Sequence, residues 1–137
     1  LVTMGAGEVR PPAAIAHRVI DLGFLPDEER DNAFAAADAY LQPSRYEAFS
    51  RTIMEAWLAG TLVIANGGSD VVRYHCERSQ AGLLYDDELE LEECLAFLAE
   101  APETAAQLAA RGRPYVLDSY QWDTVLDKIE AALTTWT

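Results

Sequence analysis

A chain of 137 residues that is 50% hydrophobic can bury one core and is too apolar for a disordered tail. Ten basic against twenty-three acidic residues give a formal charge of -13, which opposes nonspecific binding to nucleic acid or to an anionic membrane surface, so any phosphate has to be held locally. Cys76 and Cys94, far apart and without a CxxC, suggest neither a disulfide framework nor a zinc site, and a reducing cytoplasm is the simplest home.

"LVTMG" at 1–5 reads as a strand entered at the first residue, as if the beginning of a domain were missing. The double proline of "VRPPAAIAH" leaves room for only a short helix before a second strand, "VIDLGF". "LPDEERDNAFAAADA" predicts a helix with Asp27 as N-cap, two acids in its first turn and Phe34 in its body. "AYLQPS" is strand-like and stops at Pro43, "FSRTIMEAWLAG" is helical from Ser50 to Gly60, and "TLVIAN" is a buried strand. "SDVVRYHCERSQ" follows as a helix, "AGLLYD" as a strand, and "ELELEECLAFLAEA" as a helix that turns Leu89, Leu91, Leu95 and Leu98 toward a core. Pro102 restarts a helix. Two helical stretches close the chain, the second with Trp122, Val125, Leu126, Ile129 and Leu133 at helical spacing.

Five strands separated by helices predict crossover units, hence an α/β fold: a Rossmann-like, doubly wound parallel sheet with a C-terminal helical extension, in one domain over 1–137. The acids of 86–103, in a stretch without Lys or Arg, read as a solvated helix face. No charged leader followed by an apolar run opens the chain, and no apolar run approaches the ~20 residues that span a bilayer, so a soluble protein without a transmembrane segment is expected.

Ligands of such sheets bind beyond the carboxyl ends of the strands, where "PSRYEAFSRTIMEAWLAGTLVIAN" at 43–66 turns from strand to helix. The N–H groups of Ser50, Arg51 and Thr52 lack intrahelical acceptors and point outward with the positive end of the helix dipole, which suits a diphosphate. Carboxylates beside phosphate repel it unless they accept hydrogen bonds from neutral hydroxyls, and sugars supply these. Glu55, ~7 Å along the axis from Ser50, is placed to hold a vicinal diol, and Glu47, in the preceding loop, to reach the other side of the phosphates. The same Glu-x7-Glu spacing recurs at Glu92 and Glu100 in the solvated helix, so the spacing by itself is unspecific. His17 and His75 lie too far apart for a local zinc motif, and Ile53, Met54 and Trp57 read as helix packing.

The same stretch resembles the motif of the family 4 glycosyltransferases (group 1 glycosyl transferases), retaining enzymes of the two-domain GT-B fold. The resemblance extends to "LVTMGAGE", "VIDLGFLPDEERDNAFAAADAYLQPS", "AGLLYDDELELEECLAFLAEAPE" and the closing "YQWDTVLDKIEAAL", in order along nearly the whole chain. It implies the donor-binding half of an enzyme that moves a sugar from a nucleoside diphosphate sugar to an acceptor hydroxyl, without a cofactor or metal. By this resemblance Glu47 is the catalytic residue and contacts the transferred sugar or the phosphates, and Glu55 binds the ribose hydroxyls. Phe49, Ser50, Arg51 and Thr52 line the diphosphate, and Leu25 packs against or hydrogen-bonds the base.

Departures from the family pattern are Ala48 and Ser50 where Gly is usual, Leu62 where Pro is usual, and "NGGSDVVRYHC" in place of a Gly-Gly-x-Pro-Glu loop. Close backbone approach survives at Ala48 and Ser50 unless a positive φ is required there. The family's N-terminal acceptor domain and its early Arg/Lys pair are missing, so the chain is expected to be a partial domain that binds nucleotide weakly and is inactive alone. The alternatives are a noncatalytic nucleotide-sugar binding or interaction module and a GT-B fold sugar epimerase.

Overall fold

The computed structural model describes residues 1–136 and divides the chain into two compact units, Leu1–Ala33 and the remainder from Phe34. In the first unit β1 (Val2–Thr3) and β2 (Ile20–Asp21) form a parallel pair. After β1 the chain bends through Gly5 (φ 140°) and Gly7 (φ 117°), and the Gly5 amide donates to the Gly23 carbonyl at 2.8 Å. These φ values belong to glycine, so Gly5-x-Gly7 is a tight bend. The double-proline segment yields only a 3-10 turn, Ala16–Arg18. The helix α1 (Asp27–Ala35) starts on Asp27, one residue earlier than a cap there would place it, and carries Asp27, Glu28 and Glu29 in its first turn.

The second unit holds a parallel sheet of order β3 (Ala39–Gln42), β4 (Leu62–Asn66), β5 (Gly82–Tyr85), crossed over by α2 (Arg51–Ala59) and α3 (Asp70–Ser79). Leu62, Val63, Ile64 and Ala65 of β4 are all buried, as a central strand covered on both faces requires. Pro43 stops β3, because proline cannot extend the ladder, and Gly60 ends α2 in the left-handed region (φ 86°). Pro43 thus sets the β3–α2 junction at the carboxyl edge of the sheet, and Gly60 sets the return to β4 at its amino edge.

Downstream lie α4 (Glu88–Glu100), α5 (Pro102–Ala109), α6 (Gly112–Tyr120) and α7 (Trp122–Thr135). The expected helical stretch after Pro102 is therefore two helices, broken at Ala110 and Arg111. In α4 the expected core face needs correction: Leu89 is 64% and Leu95 48% exposed. Leu91, Cys94 and Leu98 turn inward instead, at i, i+3 and i+7, a stripe that leaves Leu89 and Leu95 on its flanks. The acids of α4 are exposed as expected, and Glu90 also accepts from the Asp86 amide while Asp87 caps the Glu90 amide.

Trp57 of α2 is fully buried, donates its indole N–H to the Ala81 carbonyl at 3.0 Å, and meets the Tyr115 ring edge to face at 5.6 Å. Gly112 opens α6 directly against this indole, and a Cβ at that position would run into the ring. Gly112→Ala is expected to lower stability by about 1–3 kcal/mol through overpacking, read as a lower urea midpoint. An unchanged midpoint would contradict the packing.

Candidate functional site

Strand β3 ends in a polar residue, Gln42, that is 6% exposed. Its Nε2 donates to Glu47 Oε1 (3.1 Å) and Ser50 Oγ (3.0 Å), and lies 3.5 Å from Thr52 Oγ1. Thr52 also accepts from the Tyr40 hydroxyl at 3.0 Å. One amide thus ties the sheet edge to the loop carboxylate and to the first turn of α2. Sequence reasoning missed Gln42, although a polar residue closing an apolar strand just before a Pro-Ser turn was its visible signal.

Ser50 is the N-cap residue of α2, buried and in the left-handed region (φ 61°, ψ 65°), and its side chain makes no cap hydrogen bond. Its Oγ is taken by Gln42, so the start of α2 is not closed by its own cap. Among the described residues no acceptor faces the Arg51 or Thr52 amide, both on exposed residues, while the Ile53 amide donates to the Ser50 carbonyl at 3.2 Å. Two main-chain donors therefore face outward at the positive end of the helix dipole, the arrangement that binds anions.

The positive φ that the Gly-to-Ser departure left open is real, and a Cβ there is strained by about 1–2 kcal/mol. Ser50→Ala and Ser50→Gly both remove the Oγ, so their difference isolates the backbone cost. The glycine variant is expected to be about 1 kcal/mol the more stable, read from urea midpoints; equal midpoints would contradict a strained turn.

Glu55 sits half-buried in α2. The Tyr40 phenol has its pKa pushed up by burial, with the Thr52 hydrogen bond acting downward and the charges of Glu47 and Glu55 acting upward. Both carboxylates thus act on one phenol at the β3 edge, beside the free amides. Phe49 is 38% exposed in the same loop, Tyr46 is fully solvated at 93%, and Leu25 belongs to the first unit. The structure brings Glu47, Phe49, Ser50, Arg51, Thr52 and Glu55 together at the junction.

The glycines of the next loop sit close against polar side chains. A Cβ on Gly67 would meet Asp86 Oδ1 and Arg73 Nη2, whose ion pair is 2.9 Å long, and one on Gly68 would crowd Asn66 Oδ1 and Arg45. A cavity of about 480 Å³ lies at the opposite, amino end of the sheet, lined by Asp38, Thr61, Leu62, Leu98 and Ala105 among others. It contains none of the predicted site residues.

His75 of α3 is 3% exposed and packs behind the loop. Its Nδ1 is 2.8 Å from the Tyr115 hydroxyl, and its ring meets Phe49 edge to face at 5.3 Å. Burial holds its pKa below the ordinary 6.5, with hydrogen bonding to the Phe49 main chain acting the other way. The unfolded chain takes up a proton near pH 6.5 that the folded ring resists, so stability is full above that pH and falls as pH drops through it. Urea midpoints should decline from pH 7.5 to 5.5 in the wild type and decline less in His75→Gln; equal declines would contradict a buried neutral ring.

The chain matches the family described as glycosyl transferase-like over residues 6–131. No curated protein sequence matches it. Among solved structures it is similar to sucrose-phosphate synthase from Thermosynechococcus elongatus, at 24% identity and TM-score 0.76 over 90% of this chain and 32% of that one. HepE from Anabaena, solved in complex with UDP-glucose, is similar at 25% identity and TM-score 0.71, over 89% of this chain and 34% of that one. WaaG, a glycosyltransferase involved in lipopolysaccharide biosynthesis, is similar at 22% identity and TM-score 0.69, over 96% and 37%. The chain thus spans about a third of the length of these proteins and has the α/β architecture expected of one half of a GT-B enzyme. With a family match that runs through both units and includes the whole β3–α2–β4 junction, the chain belongs to the glycosyl transferase-like family.

Proposed function

We propose that this chain is the donor-binding part of a retaining glycosyltransferase of the hexosyltransferase type, which moves a sugar from a nucleoside diphosphate sugar to an acceptor hydroxyl. One observation carries the reading: the outward-facing Arg51 and Thr52 amides lie at a helix start flanked by Glu47 and Glu55. The amides receive the diphosphate, Glu55 the ribose diol, and Glu47, oriented by Gln42, the transferred sugar. Phe49 and Ser50 line the phosphates. HepE, which binds UDP-glucose, supports a nucleotide sugar as the ligand class.

Departure of the nucleoside diphosphate builds negative charge on the bridging oxygen. Amides fixed by α2 stabilise that charge without reorganising, and this design requires no metal or cofactor. The acceptor comes from a further, N-terminal domain, so the chain is one part of a domain pair and is inactive alone. A cytoplasmic setting fits the two free thiols, Cys76 being buried with its pKa pushed up to about 12; no helix among the described residues is long and apolar enough to cross a membrane.

Calorimetry with uridine and guanosine diphosphates tests the reading. A saturable heat is expected with at least one of them. No heat with either at millimolar concentration would overturn it.

A further inference from the structure

The loop that carries Glu47 and leads into α2 is backed by rings from α3 and α6. Phe49, immediately before the strained Ser50, meets the rings of His75 at 5.3 Å and Tyr120 at 5.2 Å, both edge to face. His75 Nδ1 lies 2.8 Å from the Tyr115 hydroxyl and 3.4 Å from that of Tyr120, and the two hydroxyls are 3.2 Å apart. Tyr115 in turn packs on the indole of Trp57, inside α2 itself. The site loop, α3 and α6 therefore meet at one imidazole, and α2 joins them through Trp57 and Tyr115.

We propose that His75 is a positioning residue: its neutral ring fixes Phe49, and through Phe49 the turn that aims the Arg51 and Thr52 amides at the ligand. The proposal rests on the donor-site reading for its ligand but on the aromatic cluster for its geometry. A neutral imidazole accepts at one nitrogen and donates at the other, so it can serve a tyrosine hydroxyl and a main-chain carbonyl at once. The imidazolium donates at both, so the Tyr115 hydroxyl can then only accept from Nδ1, and a cation is left among the ring edges of Phe49, Tyr115 and Tyr120. Among the described residues the titratable groups whose rings meet it are Tyr74 on its own helix and Tyr115 and Tyr120 from α6, and Arg78 lies over Tyr74 at 5.5 Å. The loop contributes only Phe49. Among the described residues no carboxylate hydrogen-bonds the ring, so the cation has no anionic partner to compensate it. The direction of the His75 pKa agrees.

The test is an NMR pH titration of the ¹⁵N-labelled chain from pH 8 to pH 5, first without ligand and then with uridine diphosphate. The amides of Phe49, Ser50, Arg51 and Thr52 are expected to move with the same midpoint as the His75 ring protons. That coupled movement should vanish in His75→Gln while far-UV circular dichroism stays unchanged. Tyr115→Phe keeps the ring and removes one hydroxyl, so it should shift the His75 midpoint and the loop amides together, which keeps the proposal testable if His75→Gln folds poorly. Affinity for uridine diphosphate is expected to fall roughly fivefold or more as His75 protonates. Loop amides that ignore the ring midpoint, or a His75→Gln variant with unchanged affinity and pH profile, would overturn the positioning role. Loop amides that follow the ring in a chain that binds no diphosphate would uphold the coupling and sink the donor-site reading.

Discussion

Trp57→Ala is expected to lower the unfolding free energy by about 3–5 kcal/mol. The indole is fully buried where α2 meets α6, and it caps the Ala81 carbonyl at the entry to β5. Truncation opens a cavity beneath Tyr115 and Gly112 and leaves that carbonyl without its donor, so transfer, cavity and desolvation terms act together. Since the first turn of α2 carries the proposed phosphate amides, its loosening should also broaden the Arg51 and Thr52 amide resonances. Urea unfolding of both proteins checks the prediction. A loss below about 1 kcal/mol would mean that the α2–α6 contact is not what fixes the helix.

Glu55→Ala is expected to weaken uridine diphosphate binding roughly 10- to 100-fold, because a hydrogen bond to a charged group contributes about 1.5–3 kcal/mol and each 1.4 kcal/mol is a factor of ten. Glu55→Gln keeps one acceptor and should lose less. Glu92→Ala, on the exposed face of α4, serves as the control and should change nothing. Equal heats for wild type and Glu55→Ala in calorimetry would remove the assigned ribose contact without touching the phosphate site.

The β3–α2–β4 junction was legible from sequence because its signals are local. Pro43 stops a strand, Gly60 ends a helix, and the apolar run of 62–65 has room only for a central strand. Convergence of Glu47 and Glu55 at one edge was legible for the same reason, since both are fixed by their offset from Ser50. Gln42 and His75 were not legible as organisers of that edge. Gln42 acquires its role only when the loop folds back on the strand end, and His75 meets Tyr115 forty residues downstream, through packing that no local pattern records. The inner face of α4 was misread because leucines occupy both the stripe and its flanks, so periodicity alone did not distinguish Leu91 from Leu89. Sequence raised a left-handed turn at Ser50 as the exception that would count against serine in place of glycine, and backbone geometry shows that exception to hold.

An amide-resolved NMR titration comparing uridine diphosphate with uridine distinguishes a phosphate site at the start of α2 from other modes of binding. Saturable shifts are predicted at Arg51 and Thr52 with the diphosphate and not with the nucleoside. Shifts confined to other parts of the chain, or identical shifts with both ligands, would contradict a phosphate site at the start of α2.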